Sequence, residues 1–160
     1  HMTRLGCKNL PVILKIETRE AFENLPELLI QSMQRPYFGV MLARGDLAVE
    51  VGFSRIAEVQ EEILWLCDAA HVPIIWATQV LENLVKKGLA SRAEITDAAM
   101  SIRAECVMLN KGPYLNDALE VINSIEERMS QHMFKKHGAL RPLRVAERFF
   151  EQEHRLFSKR

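Results

Sequence analysis

With 160 residues, 48% of them hydrophobic and 26% charged, the chain is long and apolar enough to bury a core of its own. Lys+Arg and Asp+Glu both total 21, a formal net charge of +0. Neither the basic excess of a nucleic-acid binder nor an acidic tail is present, and no apolar run approaches a membrane span.

The first β-like run is Pro11 to Glu17 (PVILKIE), compact and rich in β-branched residues. Pro26 suits the first turn of a helix running to about Met33. Gly39 to Ala43 (GVMLA) is the second strand, and a short helix is expected near Asp46-Leu47. Ser54 is read as the cap of a helix that turns Ile56, Val59, Ile63, Cys67 and Ala70 to one face. Pro73 to Thr78 (PIIWAT) is the third strand. Ser91-Arg92-Ala93-Glu94 has capping-box spacing and opens a helix towards Ala104. Cys106 to Leu109 is the fourth strand. Asn116 is read as the cap of a helix with Leu119, Ile122, Ile125, Met129 and Met133 inward. A basic segment, 132–141, follows, then a helix expected over Leu143 to Phe157. Trp65 and Trp76 are expected as packing residues, and Met33, Met41, Met100, Met108, Met129 and Met133 as core.

Each strand is apolar nearly throughout rather than alternating, as in a parallel sheet covered on both faces. The order βαβαβαβα, with starts roughly thirty residues apart, is that of βαβ units. Such units build either an open doubly wound sheet or a (β/α) barrel, and a barrel needs eight strands where this chain supplies four.

In both folds chemistry gathers at the carboxyl ends of the strands. There stand Lys15 and Glu17, two residues apart and so on one face, then Arg44-Gly45-Asp46, Thr78-Gln79 and Asn110-Lys111. Two carboxylates on adjacent strand ends suit a hard divalent cation such as Mg2+. Lys15 beside them could neutralise a phosphoryl group or an enolate. Gly45 would let backbone approach a ligand, and a helix starting nearby would offer free N–H groups to an anion. Cys7, Cys67 and Cys106 are odd in number and far apart, which fits reduced thiols in a cytoplasmic protein. His1-Met2 reads as an expression remnant, so the natural start is open.

Lys15-Ile16-Glu17, Met41-Leu42-Ala43-Arg44-Gly45-Asp46-Leu47 and Ala77-Thr78-Gln79-Val80-Leu81-Glu82 resemble, in order, three signature segments of the pyruvate kinases. Ser91 to Glu94 with Asp97, and Cys106 to Leu109, resemble the stretch that follows. The likeness covers roughly Pro11 to Ile122. It implies an α/β fold that is half of a TIM (β/α)8 barrel, four parallel βα units over residues 1–131. Residues 132–160 then form a basic linker and terminal helix. It also implies a glycolytic, magnesium-dependent transferase that moves phosphoryl from phosphoenolpyruvate to ADP. By position, Glu17 and Asp46 resemble the magnesium ligands, and Lys15 the lysine that stabilises the phosphoryl group and the enolate. Gly45, Asp46 and Thr78 resemble the carboxylate pocket, with Thr78 where the enolate is protonated. Arg44 belongs to the same substrate-binding loop and is expected to orient it or support an interface.

Two departures accompany the resemblance. Asn110-Lys111-Gly112-Pro113 stands where the family usually has Ser-Gly-Glu-Thr, as in a bacterial and plastid-like branch. No counterpart of the usual C-terminal regulatory domain is seen, so sugar-phosphate control is not expected. The family's K+ site and most of its ADP site would lie upstream of Pro11, outside this chain. The expected partners are phosphoenolpyruvate or pyruvate, ADP through that missing half, and a second copy of the chain, because four unclosed strands leave two pairing edges. The alternatives are a magnesium-dependent lyase or aldolase of the related barrels, and a non-catalytic half-barrel assembly module.

Overall fold

The computed structural model describes residues 9–129. The basic segment and the helix expected over Leu143 to Phe157 lie outside them, as do Cys7 and Met133. The described elements are β1 (Val12–Ile16), α1 (Arg19–Glu23), α2 (Leu25–Ser32), β2 (Phe38–Ala43), α3 (Arg44–Val51), α4 (Ile56–Ala69), β3 (Ile74–Val80), α5 (Glu82–Lys87), α6 (Arg92–Met100), β4 (Cys106–Leu109) and α7 (Leu115–Met129). The four strands form one parallel sheet in the order β1-β2-β3-β4. Each strand pairs with the next in sequence, so every crossover is a single βα step. That sequential order is the topology of a barrel segment; a doubly wound sheet reverses direction at a switch point.

The core lies between this sheet and its helices, and the inner strands are sealed best. Val40, Leu42, Ala43, Ile74, Trp76 and Ala77 are fully buried. On the edge strands only Ile16 reaches that state, while Ile13 is 47% exposed. Burial of the β2 and β3 side chains, at about 25 cal/mol per Å² of apolar surface, is the main force holding the sheet. α4 adds Val59, Ile63, Leu64 and Cys67 to the same core.

Several local expectations change. The helix at 56 is capped by the Arg55 backbone with no side-chain bond, so Ser54 is not its cap. α7 begins at Leu115, which puts Asn116 inside it. Its inner face is Ala118, Val121, Ile122 and Ile125, and Leu119 is turned out, 47% exposed. The helix opened by Ser91 ends at Met100, and Ser101–Arg103 tightens into a 3-10 turn before Ala104. Trp65 is 65% exposed and Met33 50%, so neither is core; Trp76 is. The capping box itself is complete: Ser91 Oγ accepts from Glu94 N, and Glu94 reaches back to Ser91 N at 2.9 Å.

Gly112 explains part of the departure after β4. A Cβ there would run into the Val85 carbonyl oxygen and lie 2.7 Å from Val85 Cγ1. The chain must pass this close because Tyr114 N donates to the same Val85 oxygen, 3.1 Å, tying the start of α7 to α5.

Candidate active-site rim

Strand register sets the site. Ile16 lies beside Leu42, and Ala43 beside Ala77. One step further along, Glu17 is level with the end of β2, and Thr78 with Arg44. Parallel pairing thus brings the ends of three strands to a common height. At the first, Thr18 Oγ1 accepts from Ala21 N, 3.1 Å, starting α1 at once and holding Glu17 at the mouth of the turn.

Lys15 and Glu17 form an ion pair on that rim, with side chains 49% and 36% exposed. The hydrogen bond to Glu17 raises the Lys15 pKa above its ordinary value; desolvation opposes this, and the charges of Glu17 and Asp46 add to it. The bond from Lys15 likewise lowers Glu17, against desolvation, with a further contribution from Asp46. Lys15, Glu17 and Asp46 therefore feel one another across β1 and β2. No three-residue cluster of His, Cys, Asp or Glu forms among the described residues. The donor set is a pair of carboxylates from adjacent strand ends, which fits an ion that keeps water and substrate oxygens in its shell, as Mg2+ does.

The helix after β2 starts at Arg44, two residues earlier than expected. Its first-turn N–H groups have no intrahelical acceptors, and Gly45 N donates to Thr78 Oγ1 at 2.8 Å. Gly45 is not required by its backbone. It has no positive φ, and a Cβ would meet Thr78 Oγ1 at 3.4 Å and Gln79 Oε1 at 3.5 Å, ordinary contacts. Small size here keeps the space in front of α3 open.

The end of β3 carries the strain. Thr78, Gln79 and Leu81 have φ of 68°, 59° and 49°, and the β3–β4 register shifts between Trp76 and Val80. A β-branched residue in the left-handed region is a genuine outlier, and each such residue costs on the order of 1–3 kcal/mol. Arg44 grips this turn. Its Nε donates to Ala77 O at 3.2 Å, Nη2 to Thr78 O at 2.9 Å, and Nη1 pairs with Asp97 on α6. The guanidinium lies 4.5 Å from the Trp76 ring centroid.

Lys15, Glu17, Asp46, Gly45 and Thr78 are brought to one end of the sheet, with Arg44 directed into the β3 turn. Asn110 and Lys111, one strand further on, make no hydrogen bond or ion pair with this group among the described residues. Asp97 was visible only as a letter of a motif. It lies 53 residues from Arg44, and spacing carries no signal for that contact. Trp76 read as packing, and nothing local announced its cation.

A sequential parallel βα array with its polar groups on the carboxyl rim defines a segment of an α/β barrel. Residues 2–115 match the pyruvate kinase barrel domain, and the chain belongs to the pyruvate kinase family. It is 39% identical to a pyruvate kinase of Dictyostelium discoideum, over 74% of this chain and 24% of that protein. For a pyruvate kinase of Thermotoga maritima the figures are 35%, 79% and 27%. For the chloroplastic plastidial pyruvate kinase 3 of Arabidopsis thaliana they are 32%, 75% and 21%. The chain thus spans about a quarter of the length of these relatives.

Proposed function

We propose that this chain supplies the magnesium and phosphoenolpyruvate side of a pyruvate kinase site, in a protein that moves phosphoryl from phosphoenolpyruvate to ADP. The observation that carries the reading is the Lys15–Glu17 pair with Asp46 beside it, one strand from the Thr78 hydroxyl.

Glu17 and Asp46 would hold a magnesium ion, which when bound would supply positive charge against the transferring phosphoryl and the enolate. Lys15 adds its ammonium to the same charge and follows it as the phosphorus–oxygen bond to the enol breaks. The phosphoryl passes to a terminal oxygen of ADP, leaving an enolate whose methylene carbon takes a proton to give pyruvate. The backbone at Gly45 and Asp46, with Thr78, receives the substrate carboxylate, and Thr78 orders the water that delivers the proton. Arg44 orients the loop. ADP is held by residues outside this chain, as is the family's K+. The remaining partner is a second copy, at the open edges of the sheet. Three cysteines, an odd number set far apart along the chain, fit a cytoplasmic setting.

Calorimetry with oxalate, a planar dianion shaped like the enolate of pyruvate, tests the site without requiring turnover. The 160-residue chain should bind oxalate only when magnesium is present, and Asp46→Ala should abolish the binding. Absence of magnesium-dependent binding in the unsubstituted chain would overturn the reading. Cleavage of a 2-keto acid without ADP would favour a lyase instead.

A further inference from the structure

Behind the rim, two carboxylates one turn apart on α6 reach towards the strained segment from opposite sides. Residues i and i+3 of a helix share a face. Glu94 accepts from Asn83 N at 2.6 Å, in the first turn of α5, directly after the left-handed residues. Asp97 pairs with Arg44, whose other nitrogens donate to Ala77 O and Thr78 O, directly before and within them. The Arg44 side chain is 11% exposed, and its cation rests against a fully buried indole. Such a desolvated guanidinium needs a counter-charge, and Asp97 supplies it. Without that partner Arg44 would be drawn towards water, and its grip on the Ala77 and Thr78 carbonyls would loosen. The left-handed conformation of Thr78 would then relax towards extended backbone, and its hydroxyl would leave Gly45 N.

We propose that Asp97 is a positioning residue for the substrate-carboxylate pocket. It holds the Arg44 guanidinium, and through it the turn that presents the Thr78 hydroxyl to the Gly45 amide. Asp97 acts through Arg44, with which it pairs. The inference rests on the reading of Gly45 and Thr78 as that pocket.

The test compares Asp97→Ala and Asp97→Glu in the 160-residue chain by two readouts. The first is amide hydrogen exchange at Gly45, which needs no ligand. Asp97→Ala should expose the Gly45 amide while core amides of β2, such as Val40, stay protected, and Asp97→Glu should restore protection in part. The second is magnesium-dependent oxalate affinity, expected to fall about tenfold in Asp97→Ala, the lower end of what supporting partners behind a binding group contribute. Partial recovery in Asp97→Glu should accompany it. A Gly45 amide as protected in Asp97→Ala as in the parent would overturn the relay, whatever the ligand does. Exposure of Gly45 with unchanged oxalate affinity would overturn its link to the pocket. If the parent binds no oxalate, the pocket reading fails by that result alone, and the positioning role falls with it.

Discussion

Three residues in the left-handed region within four positions, Thr78, Gln79 and Leu81, make the end of β3 the costliest backbone described in the chain. Gln79 is the one whose side chain is exposed, so its conformational cost can be separated from packing. Gln79→Gly should stabilise the chain by about 1 kcal/mol, because glycine enters this region without the Cβ penalty. Urea melts would register the gain as a higher midpoint at unchanged slope; a lower midpoint would mean that the Gln79 side chain contributes more than its strain removes. Local reasoning could not have found this turn. Thr is a strand former, and PIIWAT reads as uninterrupted extended chain. What bends it is Arg44, a residue from another strand end, held by Asp97 from another helix.

At the level of elements, α6 is the part that links stability to acidity. Glu94 closes the capping box with Ser91 and also accepts from Asn83 N. Burial raises its pKa, but the bonds from Ser91 and Asn83 outweigh that, so it lies below its ordinary 4.5. A depressed carboxyl contributes stability that is fully present above pH 4.5 and is lost as pH falls through the folded value. Thermal melts between pH 6 and pH 3 should therefore show a steeper acid loss in the parent chain than in Glu94→Gln. Parallel curves would mean that the box and the Asn83 bond do not depend on charge. The box was legible because it is a contact three residues long, and the strands because each is a short apolar run bounded by turn residues. α1 and α5 have five and six residues, too few to display a helical period in the sequence. Ser54 and Asn116 look like caps by residue type, yet Ser54 stands one position before the capping Arg55 and Asn116 is already the second residue of α7.

For the molecule as a whole, the described sheet ends in two strands with a neighbour on one side only. β1 carries Ile13 at 47% exposure, with Leu10 before it at 54%, and β4 begins at an exposed Cys106. A net charge of +0 offers no overall repulsion between copies. The 160-residue chain should self-associate in light scattering, and Ile13→Lys should shift it towards monomer by placing a charge on the edge. A strictly monomeric parent at high concentration would mean that the edges are covered. The parallel α/β class is legible in the wholly apolar strands and their alternation with helices, and the rim positions in where those strands stop, whereas which strands lie at an edge depends on how many units complete the array. The two tryptophans have a practical consequence. Trp76 is sealed beneath the Arg44 cation, and Trp65 faces solvent on α4. The chain therefore carries two native fluorophores, one quenchable and one shielded. Acrylamide can silence the outer signal, so that the emission left over comes from the ring against which Arg44 rests.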